Sequence, residues 1–145
     1  MITEDYVSFE IAKILKEKGF EQESDYATSW YANQYYKNSC QGEWFEGEHQ
    51  IIEDIDDKCN ISYLSERGIF IPAPTLQMAM KWLREKGWVI CVIPLTFYCG
   101  EKVSSWGYNI WADDNLEINE ENSPKFISYE DACGAAIKYC LEHLI

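Results

Sequence analysis

Apolar residues in the second half of the chain recur at spacings that predict a helix, two long strands, a short strand and a final helix. Four of them share one helical face, at intervals of three and four: Leu76, Ala79, Met80 and Leu83. Thr75 is suited to cap this helix, and Gly87 is suited to end it in a left-handed conformation. The pattern predicts a helix over 75–86.

The residues after this helix are β-branched and aromatic, which is typical of strands. Residues 88–98 are predicted to form a strand that is apolar on both faces over most of its length. Pro94 cannot donate a backbone hydrogen bond, so a bulge or a sheet edge is expected there. Residues 103–112 form the predicted partner strand. A short third strand is expected at 116–119 or at 125–127.

Helix-start signals stand at both ends of the chain. Ser128 precedes Asp131 by three residues, as in a capping box, and predicts the start of the last helix. The predicted buried side of that helix has five residues: Ala132, Ala135, Ala136, Tyr139 and Leu144. Near the N-terminus, Ser8 is suited to cap a helix that Gly19 ends.

Together these elements predict an α+β fold in which 1–145 form a single domain. We expect a single antiparallel sheet of three to five strands, with helices over 8–18, 75–86 and 128–143 packed mainly on one face. A chain of 145 residues buries enough surface to fold without a metal or a disulfide. No Gly- and Ser-rich run marks a domain boundary.

The N-terminal half beyond the first helix gives weaker signals, and 21–68 receive no definite assignment. Tyr31 and Tyr35 are four residues apart, which suits a helical turn. Seven acidic residues stand between Glu43 and Asp57, and isoleucines at 51, 52 and 55 interrupt them as a candidate strand.

The charge of the chain limits the classes of partner. It has 25 acidic residues against 12 basic ones and a net charge of −13. Binding to nucleic acid requires Lys and Arg to replace phosphate counterions, and binding to anionic lipid also requires positive charge. We therefore expect no direct nucleic-acid binding and no membrane binding. The sequence shows neither a signal peptide nor a membrane span, which indicates a cytoplasmic protein.

The residue types that hold metals do not occur at the usual spacings. Cys140 and His143 lie one turn apart on the last helix, with Cys133 two turns earlier, but no second ligand pair accompanies them. The six cysteines contain no C-x-x-C pair and are expected to be reduced thiols. The acidic segment does not match a calcium-binding loop, because Cys59 replaces the required glycine. We predict no metal, no cofactor and no catalytic residues.

Three blocks of sequence carry a family resemblance: YVSFEIAKILKEKGF at 6–20, PAPTLQMAMKWLREKGW at 72–88 and FISYEDACGAAIKYCLEHLI at 126–145. They cover roughly a third of the chain. In order and spacing, they resemble a family of small uncharacterised proteins from gut Bacteroidetes and from their phages and mobile elements. That family has no assigned activity, so the resemblance implies no functional residues.

Dense carboxylates beside aromatic residues suggest a protein-binding surface, because aromatic side chains are common interface anchors. Our first hypothesis is a non-enzymatic interaction module for an unidentified protein partner, acting as a charge mimic on a basic protein. Seven residues are predicted to bind that partner: Tyr31, Tyr35, Trp44, Glu46, Asp54, Asp56 and Asp57. The alternative is a small hydrolase or a ligand- or divalent-metal-binding domain that uses converging carboxylates. The sequence leaves the oligomeric state open.

Overall fold

The protein has an α+β fold, which confirms the predicted class. The computed structural model describes these residues: 5–20, 29–32, 37–38, 43–44, 51–53, 70–96, 105–119 and 124–145. Within them the chain forms three α-helices, one π-helical turn and eight strands, and every strand pairing is antiparallel. The chain divides into two compact units. We call 6–75 the N-terminal unit, and 1–5 with 76–145 the C-terminal unit.

Helix α1 of the N-terminal unit, Phe9–Glu17, forms where it is predicted. The Ser8 hydroxyl accepts a hydrogen bond from the Ile11 backbone N–H at 3.2 Å and so satisfies a donor that the first turn leaves unpaired. Gly19 ends the helix at a φ of 98°, a conformation that favours glycine. The Phe20 N–H then bonds the Leu15 carbonyl at 2.9 Å, and both side chains are buried.

The strands of the N-terminal unit form two separate sheets. β1 (Ser29–Ala32) lies between β4 (Ile51–Glu53) and β5 (Phe70–Pro72), while β2 (Lys37–Asn38) pairs with β3 (Glu43–Trp44). The strand expected near residue 51 is therefore confirmed. The helical turn suggested by the spacing of Tyr31 and Tyr35 is not formed at Tyr31. That residue pairs with partners on both sides, and these long-range pairings override the local spacing.

The C-terminal unit begins with helix α2, Leu76–Glu85, as the sequence predicts. The predicted apolar face is buried, together with Trp82: Leu76, Ala79, Met80 and Leu83. Gly87 follows the helix at a φ of 95°, and its N–H bonds the Arg84 carbonyl at 3.0 Å. This left-handed residue turns the chain directly into the next strand.

Three strands of the C-terminal unit pair in the order β6-β7-β8: Trp88–Thr96, Ser105–Ala112 and Asn115–Ile118. The register shifts between Pro94 and Thr96, which confirms the bulge predicted from the proline. Of the two positions expected for the third strand, β8 occupies the first. At the second, Phe126 forms a single bridge with Trp106. The described strands form three sheets and not one continuous sheet: β4-β1-β5, β2-β3 and β6-β7-β8.

The last helix, α3 (Tyr129–Tyr139), continues into a π-helical turn over Cys140–Leu144. The Ser128 hydroxyl caps it by accepting a hydrogen bond from the Asp131 N–H at 3.0 Å, as predicted. The buried side differs in part from the prediction, since six residues are buried: Ala132, Cys133, Ala136, Ile137, Cys140 and Leu141. Ala135, Tyr139 and Leu144 are only half-buried, because the packed stripe is centred one position away from the predicted one.

Helices α2 and α3 contact each other and the β6-β7-β8 sheet, so they lie on one face of it. We call this the inner face. Trp106 meets Tyr129 edge-to-face at 5.4 Å, and Tyr108 and Ile110 on the same side of β7 are buried. The core of the C-terminal unit therefore lies between the two helices and the even-numbered residues of β7.

Candidate functional site

The opposite face of the C-terminal sheet, which we call the outer face, carries an apolar row. Val89 of β6 lies opposite Trp111 of β7, and Trp111 lies opposite Leu116 of β8. Directly paired residues project from the same face of a sheet, so the three side chains form one row across three strands. Val89 is 38% exposed, Leu116 is 41% exposed and Trp111 is half-buried. Cys91, two residues along β6, is exposed on the same face.

Carboxylates lie beside this row, where β7 turns into β8. Asp113 and Asp114 form the two-residue turn between β7 and β8, and Glu117 follows on β8. All three are exposed. The turn requires a positive φ at its first residue, and Asp113 adopts 48°, which Asp and Asn tolerate better than most residues. A partly exposed apolar row with carboxylates beside it suits an amphipathic, positively charged partner better than an anionic one.

Tyr31 is a core residue of the N-terminal unit and not an exposed anchor. It is 8% exposed, its hydroxyl donates a hydrogen bond to the Val7 carbonyl, and its ring meets Phe9 edge-to-face at 5.6 Å. Burial raises the pKa of the Tyr31 hydroxyl. Tyr31 is therefore not part of an exposed partner surface. Its contacts with Val7 and Phe9 hold the first helix to the sheet.

The other six residues predicted to bind a partner are less completely placed. The backbone of Trp44 lies in β3 and pairs with Lys37. The remaining five lie outside the described residues: Tyr35, Glu46, Asp54, Asp56 and Asp57. That the segment from 43 to 57 forms a binding surface thus stays a prediction. The convergence of its carboxylates also stays a prediction.

The cysteines of the last helix are packing residues. Cys133 and Cys140 are both fully buried. Burial raises the pKa of Cys133 to about 11 and that of Cys140 to about 12, so both thiols are neutral near pH 7. His143 is exposed, and its ring lies 4.7 Å from that of Tyr139. A neutral buried thiol and an exposed imidazole do not form a nucleophile with its base.

Two further features are absent from the described ranges. In these ranges, no three His, Cys, Asp or Glu side chains come together in a group that could hold a metal ion. Nor does any helix there have the length and apolar content needed to cross a bilayer.

Comparison with known proteins adds no functional assignment. Neither a protein-family model, nor a curated protein, nor a solved structure matches the chain. The resemblance to small proteins of gut Bacteroidetes and their mobile elements therefore stays a prediction.

The outer face was not among the residues chosen from the sequence, although a signal for it was present. Residues 88–95 are apolar at consecutive positions, a pattern typical of a strand buried on both sides. In the C-terminal unit both described helices lie on the inner face. A two-sided apolar strand with helices on one side leaves apolar residues such as Val89 exposed on the other.

Proposed function

We propose that the protein is a non-enzymatic interaction module that binds a basic protein partner. The observation that carries this proposal is the partly exposed Val89–Trp111–Leu116 row, with the Asp113–Asp114 turn beside it. Apolar area supplies affinity, while flanking carboxylates select for positive charge and speed association. The net charge of −13 extends this preference to the whole chain.

In its more specific form, the proposal is that the protein mimics the charge of nucleic acid. A protein that binds DNA or RNA presents clustered Lys and Arg, and a surface dense in carboxylates competes for the same residues. The seven acids from Glu43 to Asp57 provide a second source of this charge. The family resemblance to proteins of phages and mobile elements is consistent with a target among host or phage proteins that handle nucleic acid.

We also propose a cytoplasmic location. The free thiols of Cys91, Cys133 and Cys140 support it, because reduced cysteines are typical of a reducing compartment. This part of the proposal is tested by fractionating cells that express the protein and locating it by immunoblot.

The first experiment is a pull-down from host lysate at low and at high salt, with captured proteins identified by mass spectrometry. We expect a basic, nucleic-acid-handling protein that is retained at low salt and released at high salt, because screening weakens exposed charge pairs. Recovery of no specific protein at either salt concentration would contradict the proposal.

The captured partner is then titrated against two variants with equal changes of charge. The test variant carries D113N, D114N and E117Q beside the outer row, and the control carries E10Q, E17Q and E85Q on exposed helical positions. Each exposed ion pair contributes about 0.5 kcal/mol, so the test variant should bind about tenfold more weakly. Equal affinities for the two variants would exclude the outer face as the charged contact.

A third variant examines the acidic segment of the N-terminal half. It carries E43Q, E46Q, E48Q, D54N, D56N and D57N. If this segment binds the partner, the variant loses affinity and most of the salt dependence, while the outer-face variant retains both. Unchanged binding by the six-residue variant would remove the segment from the proposal and leave the outer face.

A further inference from the structure

Strand β6 forms one edge of the C-terminal sheet. The hydrogen bonds of its partner β7 show which N–H and carbonyl groups of β6 point to the open edge. Both the N–H and the carbonyl of Trp106 bond to Phe126, each at 2.8 Å, and therefore point away from β6. Pro94, which lies opposite Trp106, is thus in a pair without hydrogen bonds. Its backbone nitrogen points to the open edge, the position where a proline is tolerated in a sheet.

In an antiparallel ladder, hydrogen-bonded and non-hydrogen-bonded pairs alternate, which determines where the backbone groups of the other β6 residues point. The register is continuous from Trp88 to Pro94, so every second residue shares the orientation of Pro94. Trp88, Ile90 and Val92 therefore each direct an N–H and a carbonyl to the open edge. In the described part of the chain, no strand pairs with β6 on that side.

The two edges of this sheet differ in protection. β8 has four residues, and Glu117 lies within it next to the acidic turn. β6 has nine residues and none of them is charged. Natural edge strands avoid unwanted pairing by being short, charged or interrupted by proline. Only Pro94, near the end of β6, provides such an interruption, so 88–92 form an open and uncharged ladder.

We propose that β6 pairs antiparallel with β6 of a second copy of this chain, with Ile90 opposite Ile90 across a twofold axis. In this register Trp88 lies opposite Val92 of the second copy, and Val92 lies opposite its Trp88. All three outward N–H groups of each copy then find a carbonyl, giving six hydrogen bonds with no unpaired donor within the segment. The result is a continuous six-stranded sheet.

Self-pairing fits the edge because the register is determined by β6 alone. Shifting the twofold axis to Cys91 would place Trp88 opposite Pro94, whose ring points to the open edge and obstructs the facing strand. Residues 88–92 of a second copy are also uncharged, so this pairing brings no like charges opposite one another. A twofold interface of this kind uses the same surface on both copies.

The first test compares Val92→Pro with Val92→Ala by sedimentation equilibrium. The wild-type protein is expected to associate to dimers between about 5 μM and about 500 μM, a range suited to a small interface. Proline at 92 removes an N–H that points away from β7, so the ladder within the chain is retained. The dimer dissociation constant should rise at least about thirtyfold, because two hydrogen bonds are lost per dimer and the ring obstructs the facing strand.

Val92→Ala removes the side chain but keeps the N–H, so it should still dimerise. Circular dichroism and thermal unfolding establish that both variants are folded. A wild-type protein that remains monomeric throughout this range would overturn the proposal, and so would a Val92→Pro variant that dimerises as well as wild type.

The second test fixes the register with a disulfide. Val89 would lie opposite Cys91 of the second copy in a pair without hydrogen bonds, at about 4.5 Å between Cα atoms, which is within the range for a disulfide. V89C treated with oxidised glutathione should therefore form a covalent dimer on a non-reducing gel, two thiols being oxidised and glutathione reduced. V89C/C91S should remain monomeric on the same gel. Failure of V89C to cross-link above that control would overturn the register.

Salt separates this proposal from the binding of a basic partner. Two copies that each carry −13 repel one another, so added salt should strengthen self-association. Binding to a basic partner should weaken under the same conditions. Either proposal can therefore fail while the other stands.

Discussion

The inner and outer faces of the C-terminal sheet both carry apolar residues, but they differ in how far those residues are buried. On the inner face Ile110 has no exposed surface and Tyr108 is 4% exposed, under the two helices of the unit. On the outer face Val89 and Leu116 remain 38% and 41% exposed. Apolar residues thus occur on both faces, but only one face carries the described helices.

The difference shows that apolar character and a role in folding are separate properties. Burying apolar surface contributes about 25 cal/mol per Å², so residues of the inner face account for stability. An exposed residue of the same type contributes much less and remains available for a contact with another molecule. Substitutions on the inner face should therefore alter unfolding, and those on the outer face should alter association.

The largest effect is expected from Ile110→Ala on the inner face. Removing a fully buried isoleucine side chain should lower the free energy of unfolding by about 2–4 kcal/mol, because lost transfer energy and a cavity add. Leu116→Ala, an outer-face truncation of similar size, should cost less than about 1 kcal/mol. Urea denaturation of both variants gives the comparison. Equal losses would show that the outer face also belongs to the core.

A second expected effect concerns pH and the buried thiols. Because desolvation raises the pKa of Cys140 to about 12 from an ordinary value of 9.0, the unfolded chain loses that proton at lower pH than the folded chain. The free energy of unfolding should therefore fall as pH rises from 9 towards 12. Cys140→Ala should reduce this slope when urea midpoints are measured across the range. An unchanged slope would show that Cys140 is not the titrating group.

A smaller effect is expected from Ser128→Ala, which removes the cap of the helix over the inner face. The loss of stability should be about 1 kcal/mol, because the Asp131 N–H loses its acceptor. Ser8→Ala removes the equivalent contact in the N-terminal unit and is the matched comparison. Thermal unfolding measures both. Neither variant should alter dimerisation or partner binding. A large change in dimerisation would couple helix capping to the β6 edge, and a large change in partner binding would couple it to the outer face.

Local signals explain which parts of the fold could be predicted. The capping serines at 8 and 128 and the left-handed glycines at 19 and 87 each act within a few residues, and the helices they delimit were found. The pairing of β1 with strands about 20 and 40 residues away has no comparable local signal. The same limit applies to the site, because the exposure of Val89 depends on where the helices lie and not on the residues beside it.

At Asp113, in the turn of the β7–β8 hairpin, the backbone conformation and the side-chain charge can be changed independently. An asparagine adopts the same left-handed backbone conformation and differs from aspartate mainly in lacking the negative charge. Asp113→Asn should therefore leave the β7–β8 ladder intact and change only the electric field that an approaching molecule meets. The negative charge at the end of the hairpin can thus be lowered one residue at a time while the backbone structure stays the same.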